Sequence, residues 1–151
     1  MDESVRQFVC PHCQAANRVP AERDALAAKC GRCHELLFTG APVEVDAASL
    51  ARHRGATKGA GLLLDVWAPW CGPCRAMAPQ FKAAAVKLEP RARLLKLNSD
   101  NDPAVSAELG VRGIPALFLF QDGRVIGHTA GLMNADQLVA WTEAQLDMAG
   151  G

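Results

Sequence analysis

Six cysteines fall as three Cys-x-x-Cys pairs, Cys10 with Cys13, Cys30 with Cys33 and Cys71 with Cys74, and this grouping limits the possible folds more than any other feature. The opening Met-Asp-Glu-Ser-Val-Arg-Gln lacks the charged-then-apolar order of a secretory signal. No apolar run approaches the ~18 residues that span a bilayer. A cytoplasmic location with no membrane partner is therefore expected. There, cysteines in so short a chain read as metal ligands or redox catalysts rather than as a disulfide framework.

Four of the cysteines crowd into residues 1–40, a head whose large apolar residues are Phe8, Leu26, Leu36, Leu37 and Phe38. That is too little core to fold unaided, because units below ~40 residues usually need a metal, disulfides or a partner. Cys10, Cys13, Cys30 and Cys33 have the Cys-x2-Cys-x16-Cys-x2-Cys spacing of a four-thiolate zinc site, each pair supplying two ligands from a tight turn. Gly31 suits the second turn. One structural Zn2+ per chain is expected, and its binding energy would be folding energy; disulfides or iron are the alternatives. His34 completes a Cys-x-x-Cys-His string that can mark haem attachment, but haem would leave the first pair idle and normally needs export. His12 and His34 are expected to be solvated neighbours of the site.

Charge argues against a nucleic-acid partner. The whole chain balances sixteen basic against sixteen acidic residues. Within the head, Arg6, Arg18, Arg23, Lys29 and Arg32 face Asp2, Glu3, Glu22, Asp24 and Glu35. Four zinc-bound thiolates would add a net of about two negative charges, the reverse of a polyanion footprint.

After a joint at Thr39-Gly40-Ala41-Pro42 the pattern changes to longer apolar elements. Val43–Val45 suits a short strand, and Ala47–His53 a short helix leading into a basic, glycine-rich loop over 54–61. Leu62–Trp67, apolar except for Asp65, suits a strand covered on both faces. Pro73 then occupies a first helical turn, and Met77, Phe81, Ala84 and Leu88 follow on one helix face, with Pro79 as an expected kink. Arg93–Asn98 completes a strand–helix–strand crossover with parallel strands. Ala116–Phe120 and Arg124–His128 flank Gln121-Asp122-Gly123, the chemistry of a hairpin turn. Asn134 and Gln137 resemble a capping box ahead of a last helix with Leu138, Trp141 and Leu146 on its apolar face. The order implies an α/β sandwich with a mixed sheet.

The lone pair, Cys71 and Cys74, stands at the start of the first long helix. Sulfurs at i and i+3 can bridge there, and the first lies at the positive end of the helix dipole, which stabilises its thiolate. The preceding strand places the pair at the carboxyl end of the sheet, where open α/β folds expose their sites. A buried structural pair or half of a zinc site is the bland alternative, but no further cysteine remains to complete a tetrahedron. Asp65, an acid in an apolar strand, would gain proton affinity on burial and become a candidate proton acceptor. Alternatively it would hydrogen-bond the backbone or pair with Lys96.

Trp67-Ala68-Pro69-Trp70-Cys71-Gly72-Pro73-Cys74 resembles the active-site segment of the thioredoxin family, and Asp65, Lys96-Leu97-Asn98, Gly113-Ile114-Pro115, Asp122-Gly123 and Gly131 follow that family's order over roughly residues 42–148. The four-cysteine head resembles the zinc-binding extension of the bacterial thioredoxin 2 subfamily. The resemblance implies a thioredoxin fold, a mixed central sheet flanked by helices, preceded by a small zinc-ribbon-like domain at 1–40. It implies a monomeric protein-disulfide reductase in which Cys71 attacks and Cys74 resolves, assisted by Asp65 and Lys96. Pro115 matches a cis proline facing the cysteines; Ile114, Trp70, Gly72, Pro73 and Gly131 would frame a groove for disulfide-containing protein substrates, while Trp67 packs. No organic cofactor would be bound, because NADPH would act indirectly through a flavoprotein thioredoxin reductase. Ala116 stands where the family often has threonine and Val66 where phenylalanine is common, neither a reacting group. Disulfide oxidation or isomerisation, or a non-catalytic adaptor or holdase on the same scaffold, are the competing functions. Gly-Pro between the cysteines favours the reductant, and retention of both cysteines opposes the adaptor.

Overall fold

A computed structural model describes residues 5–150 of the chain. Residues 1–4, where the head was expected to begin, lie outside the described part. In the head, β1 (Val5–Val9) and β2 (Ala16–Pro20) pair as an antiparallel hairpin not anticipated from the sequence. Phe8, Val19, Ala25, Leu37 and Phe38 close over Cys10 and Cys30 in a small core joined by Ala60. Phe8 and Phe38 meet edge to face with ring centroids 4.9 Å apart. Leu26 and Leu36, counted above as head core, are exposed instead. The buried sulfurs thus take part of the space that larger side chains would otherwise fill.

The main sheet contains β3 (Val43–Val45), β4 (Gly61–Trp67), β5 (Ala92–Asn98), β6 (Ala116–Gln121) and β7 (Arg124–Ala130), in the order β3-β5-β4-β6-β7. β3, β5 and β4 run parallel, while β6 and β7 are antiparallel to their neighbours, giving the expected mixed sheet. Four helices flank it: α1 (Ala47–Ala56), α2 (Gly72–Leu88), α3 (Pro103–Leu109) and α4 (Ala135–Gly150). On one face Leu63, Leu94, Leu117 and Leu119 pack against α2 through Met77 and Phe81 and against α4 through Leu138 and Leu146. On the other, Leu62, Leu64, Val66, Leu95 and Leu97 meet Leu50 of α1, with Val105 and Leu109 of α3 at the margin. Burial on both faces explains why β4 reads as a nearly continuous apolar run.

Local chemistry accounts for the element ends. Asp122 (φ 52°) and Gly123 (φ 82°) both adopt the left-handed conformation required by a two-residue hairpin turn. At the head of α4, Asn134 N–H donates to Gln137 Oε1 at 2.9 Å and Gln137 N–H to Asn134 Oδ1 at 2.8 Å, the reciprocal pair anticipated from the sequence. α2 runs continuously through Pro79. α1 continues past His53 because its buried face is Leu50, His53 and Ala56, so residues 54–56 are helix rather than loop. α3 was not anticipated; none of its residues is fully buried, so it leaves no apolar stripe in the sequence.

The head sits against the α1 side of the sheet. Arg93, only 2 % exposed, reaches from the start of β5 and donates to the carbonyl oxygens of Leu37 at 2.8 Å and Val9 at 3.2 Å, its guanidinium 4.3 Å above the Phe38 ring. Gln7 and Lys58 exchange backbone hydrogen bonds of 2.9 Å. At the joint, Gly40 N–H donates to Glu89 Oε1 at 3.0 Å. Burial, then the charges of Arg93 and Arg52, pull the His53 imidazole down to about 4, so it enters this contact neutral at pH 7.

Candidate active site and metal centre

Cys71 is the N-cap of α2, and its Sγ accepts the Cys74 N–H at 3.2 Å. A sulfur there takes up one of the amide donors that a helix start leaves without partners, and it feels the positive end of the dipole. The two cysteines are joined by a disulfide, with Cα atoms 5.2 Å apart. Ala68 packs against both, with Trp67 and Ile114 beside them. The Ile114–Pro115 peptide is cis, and Cys71 Sγ lies 3.9 Å from the Ile114 carbonyl oxygen. Gly131, in a positive-φ conformation, donates its N–H to the Pro115 carbonyl oxygen at 2.9 Å. Trp70 is 67 % exposed at the rim, where its Nε1–H donates to Asp100 Oδ1 at 3.1 Å. Gly72 and Pro73 are exposed beside it. The fold therefore brings segments distant in sequence around one disulfide. Asp100, which no motif singled out, orients the exposed indole.

Asp65 is 1 % exposed, and neither carboxylate oxygen has a hydrogen-bond partner among the described residues. Burial pushes its carboxyl up to about 7; Lys96 pulls the other way and Glu44 adds to the rise. Its side chain shares the α2-packed face of β4 with Leu63, as alternation along a strand requires. Neither structural alternative for Asp65 is realised. It makes no backbone hydrogen bond, and the ion pairs among the described residues are Lys87–Asp136, Arg91–Glu143 and Arg91–Asp147. Lys96, its register partner on β5, instead holds its Nζ 4.7 Å above the Trp67 ring.

In the head, one sulfur of Cys10, Cys13, Cys30 and Cys33 lies within 4.8 Å of every other. The Cys10–Cys33 and Cys13–Cys30 sulfurs are 3.6 Å apart. A zinc tetrahedron with ~2.3 Å Zn–S bonds has edges of ~3.8 Å, so the four sulfurs already fit the ion. The two pairs stand on equivalent loops: Cys10 N–H donates to Ala15 O and Cys30 N–H to Glu35 O, at 2.9 and 2.8 Å. Gly31 lies in the turn of the second pair, as expected, and the left-handed residues that close the two loops are Gln14 (φ 66°) and His34 (φ 67°). His12 and His34 are exposed and lie outside the sulfur cluster. Hydrogen bonds hold the Cys30 thiol down at about 6, the Cys33 backbone first and the Asn17 amide next. Cys33 rises to about 12 although the Glu35 N–H opposes it, because burial and the neighbouring sulfurs disfavour further thiolates. Four sulfurs packed this closely form a ready cation site, whose thiols would give up their protons as an ion binds. Arg93 docks the head at the start of β5, whereas Cys71 follows the carboxyl end of β4, and neither Cys71 nor Cys74 belongs to the four-sulfur cluster.

Residues 53–144 match the thioredoxin family model, and residues 9–35 match the model described as thioredoxin 2, N-terminal. Thioredoxin C-3 of Corynebacterium nephridii is 34 % identical over 144 residues, covering 95 % of this chain and 98 % of that one. A thioredoxin of Rhodospirillum rubrum is 40 % identical over 55 % of this chain and 80 % of its own length. Among solved structures, thioredoxin f from spinach chloroplast superposes with a TM-score of 0.66 at 28 % identity, over 72 % of this chain and 88 % of that one. A thioredoxin from Halobacterium salinarum gives 0.64 at 29 %, over 72 % and 93 %. The disulfide capping α2, the cis-proline loop facing it and the four-sulfur ribbon agree with both matches: the chain belongs to the thioredoxin family and is a protein thiol–disulfide oxidoreductase.

Proposed function

We propose that the chain reduces disulfides in other proteins with Cys71 as the attacking thiolate and Cys74 as the resolving cysteine. The observation that carries this assignment is the placement of Cys71 at the N-cap of α2, with Cys74 one turn inside and more deeply buried. In the reduced protein the Cys71 thiolate attacks a substrate sulfur. The substrate S–S bond breaks, one substrate thiolate leaves and takes a proton, and a mixed disulfide remains. Cys74 then passes its proton to the Asp65 carboxylate and attacks Cys71 Sγ. The Cys71–Cys74 bond forms as the bond from Cys71 to the substrate sulfur breaks, the second substrate thiolate leaves and takes up a proton, and two electrons have passed to the substrate.

Lys96 balances charge beside Asp65. Trp70, Gly72, Pro73, Ile114, Pro115 and Gly131 frame the substrate groove, whose proximity to Cys71 supports the role. A flavoprotein thioredoxin reductase, drawing on NADPH, returns the disulfide to the dithiol. Cys10, Cys13, Cys30 and Cys33 hold one structural Zn2+, which cross-links the two loops and supplies folding energy to the ribbon. The ribbon (1–40) and the thioredoxin unit (42–148) form two domains of a monomer that works in the cytoplasm without a nucleic-acid or membrane partner; no helix of the described residues is long and apolar enough to cross a membrane.

The test is insulin reduction with NADPH and thioredoxin reductase. Cys71→Ser abolishes turnover, whereas Cys74→Ser accumulates mixed disulfides with substrate. Equal trapping by both variants refutes the division of labour.

A further inference from the structure

Glu44 on β3 is the register partner of Lys96 on β5, and Lys96 is the register partner of Asp65 on β4. Register partners in a parallel sheet project from the same face, so Glu44, Lys96 and Asp65 form a row of alternating charge across three adjacent strands. The row lies on the α2-packed face, with Trp67 two residues beyond Asp65 on the same side. On β6 the partner of Asp65 is the apolar Leu117. The charged groups that act on Asp65 are Lys96 from β5 and Glu44 from β3.

Lys96 makes no ion pair among the described residues. Its Nζ stands over the Trp67 ring, where the indole face accepts the cation without neutralising Asp65. Burial pushes the Glu44 carboxyl upward, while the Lys96 charge and then the Trp67 N–H pull it back down, so Glu44 is electrostatically tied to both ends of this cradle. We propose that Glu44 is a positioning residue for proton transfer: it holds the Lys96 ammonium over Trp67, between two carboxylates, and so keeps Asp65 free of an ion pair that would cost it its role as proton acceptor. The strand pattern Val43-Glu44-Val45 contains the acid, but only the sheet order places β5, and with it Lys96, between Glu44 and Asp65.

The inference rests on the proposed role of Asp65, and the experiment separates the two. Carboxyl carbon NMR of the oxidised full-length protein follows the Asp65 titration directly, without turnover. Glu44→Gln moves its midpoint downward by more than one pH unit: about half a unit is the direct effect of one charge roughly two strand spacings away, and the larger remainder comes from Lys96, freed to pair with Asp65. Glu44→Asp leaves it near the wild-type value. In a Lys96→Met background the midpoint starts higher, and adding Glu44→Gln moves it by less than half as much, because the effect runs through the lysine. An unchanged midpoint in Glu44→Gln, or an equal shift with and without Lys96, overturns the proposal. Mixed-disulfide release measured separately in Asp65→Asn tests the Asp65 role: undiminished release removes that role, whatever Glu44 does to the titration.

Discussion

Replacing Asp65 by asparagine makes the folded oxidised protein more stable at alkaline pH while slowing catalysis, and the size of the gain follows from burial. An aspartate ordinarily titrates near 3.8; in the fold this one is pushed up to about 7. A rise of about three pH units corresponds to about 4 kcal/mol of preference for the protonated form. The folded state therefore binds the proton more tightly than the unfolded state. Wild-type stability is unaffected by this residue below about pH 4, falls as pH rises toward 7, and stays reduced above it. Asparagine never ionises and escapes the penalty. Its amide still lacks partners, a cost of ~1–3 kcal/mol that is the same at every pH. The diagnostic quantity is thus the change in the stability difference between pH 4 and pH 8, at most about 4 kcal/mol, or of the order of 10 °C in Tm for a chain this long. Thermal unfolding of both proteins in the oxidised state, in buffers spanning that range, reads it directly. A difference that stays constant across pH would show that Asp65 is not held protonated by burial, and the proton-acceptor argument would fall with it.

Metal analysis of carefully reduced protein should find one zinc per chain; Cys30→Ser should lose it and Cys71→Ser should keep it, since Cys71 is not among the four clustered sulfurs. A chain truncated to begin at Pro42 should fold and still reduce insulin, because the sheet and both of its faces lie after the joint. It should melt below the full protein, since Arg93 loses both carbonyl partners and the Phe38 ring; failure to fold would mean that ribbon and sheet share one cooperative core.

Where residues within about four positions of one another settle a feature, the sequence alone determined it. Cys71 caps α2 because Gly72 and Pro73 begin a helix there. The Asn134/Gln137 box and the Asp122-Gly123 turn form for equally local reasons, and Cys-x-x-Cys spacing makes each pair a two-ligand loop. The residues of the thiol site were legible because their chemistry is tied to those local positions. Other features needed the chain closed on itself. Arg93 reads as an ordinary strand-end cation until the ribbon buries it, α3 is held without an apolar stripe of its own, and Gln14 and His34 take left-handed conformations that close the two cysteine loops. The row from Glu44 through Lys96 to Asp65 depends on β5 inserting between β3 and β4, a choice made by contacts separated by dozens of residues. Burial and register are properties of such contacts: they decide whether a carboxylate is solvated or stranded, and therefore whether Asp65 can hold a proton near neutral pH.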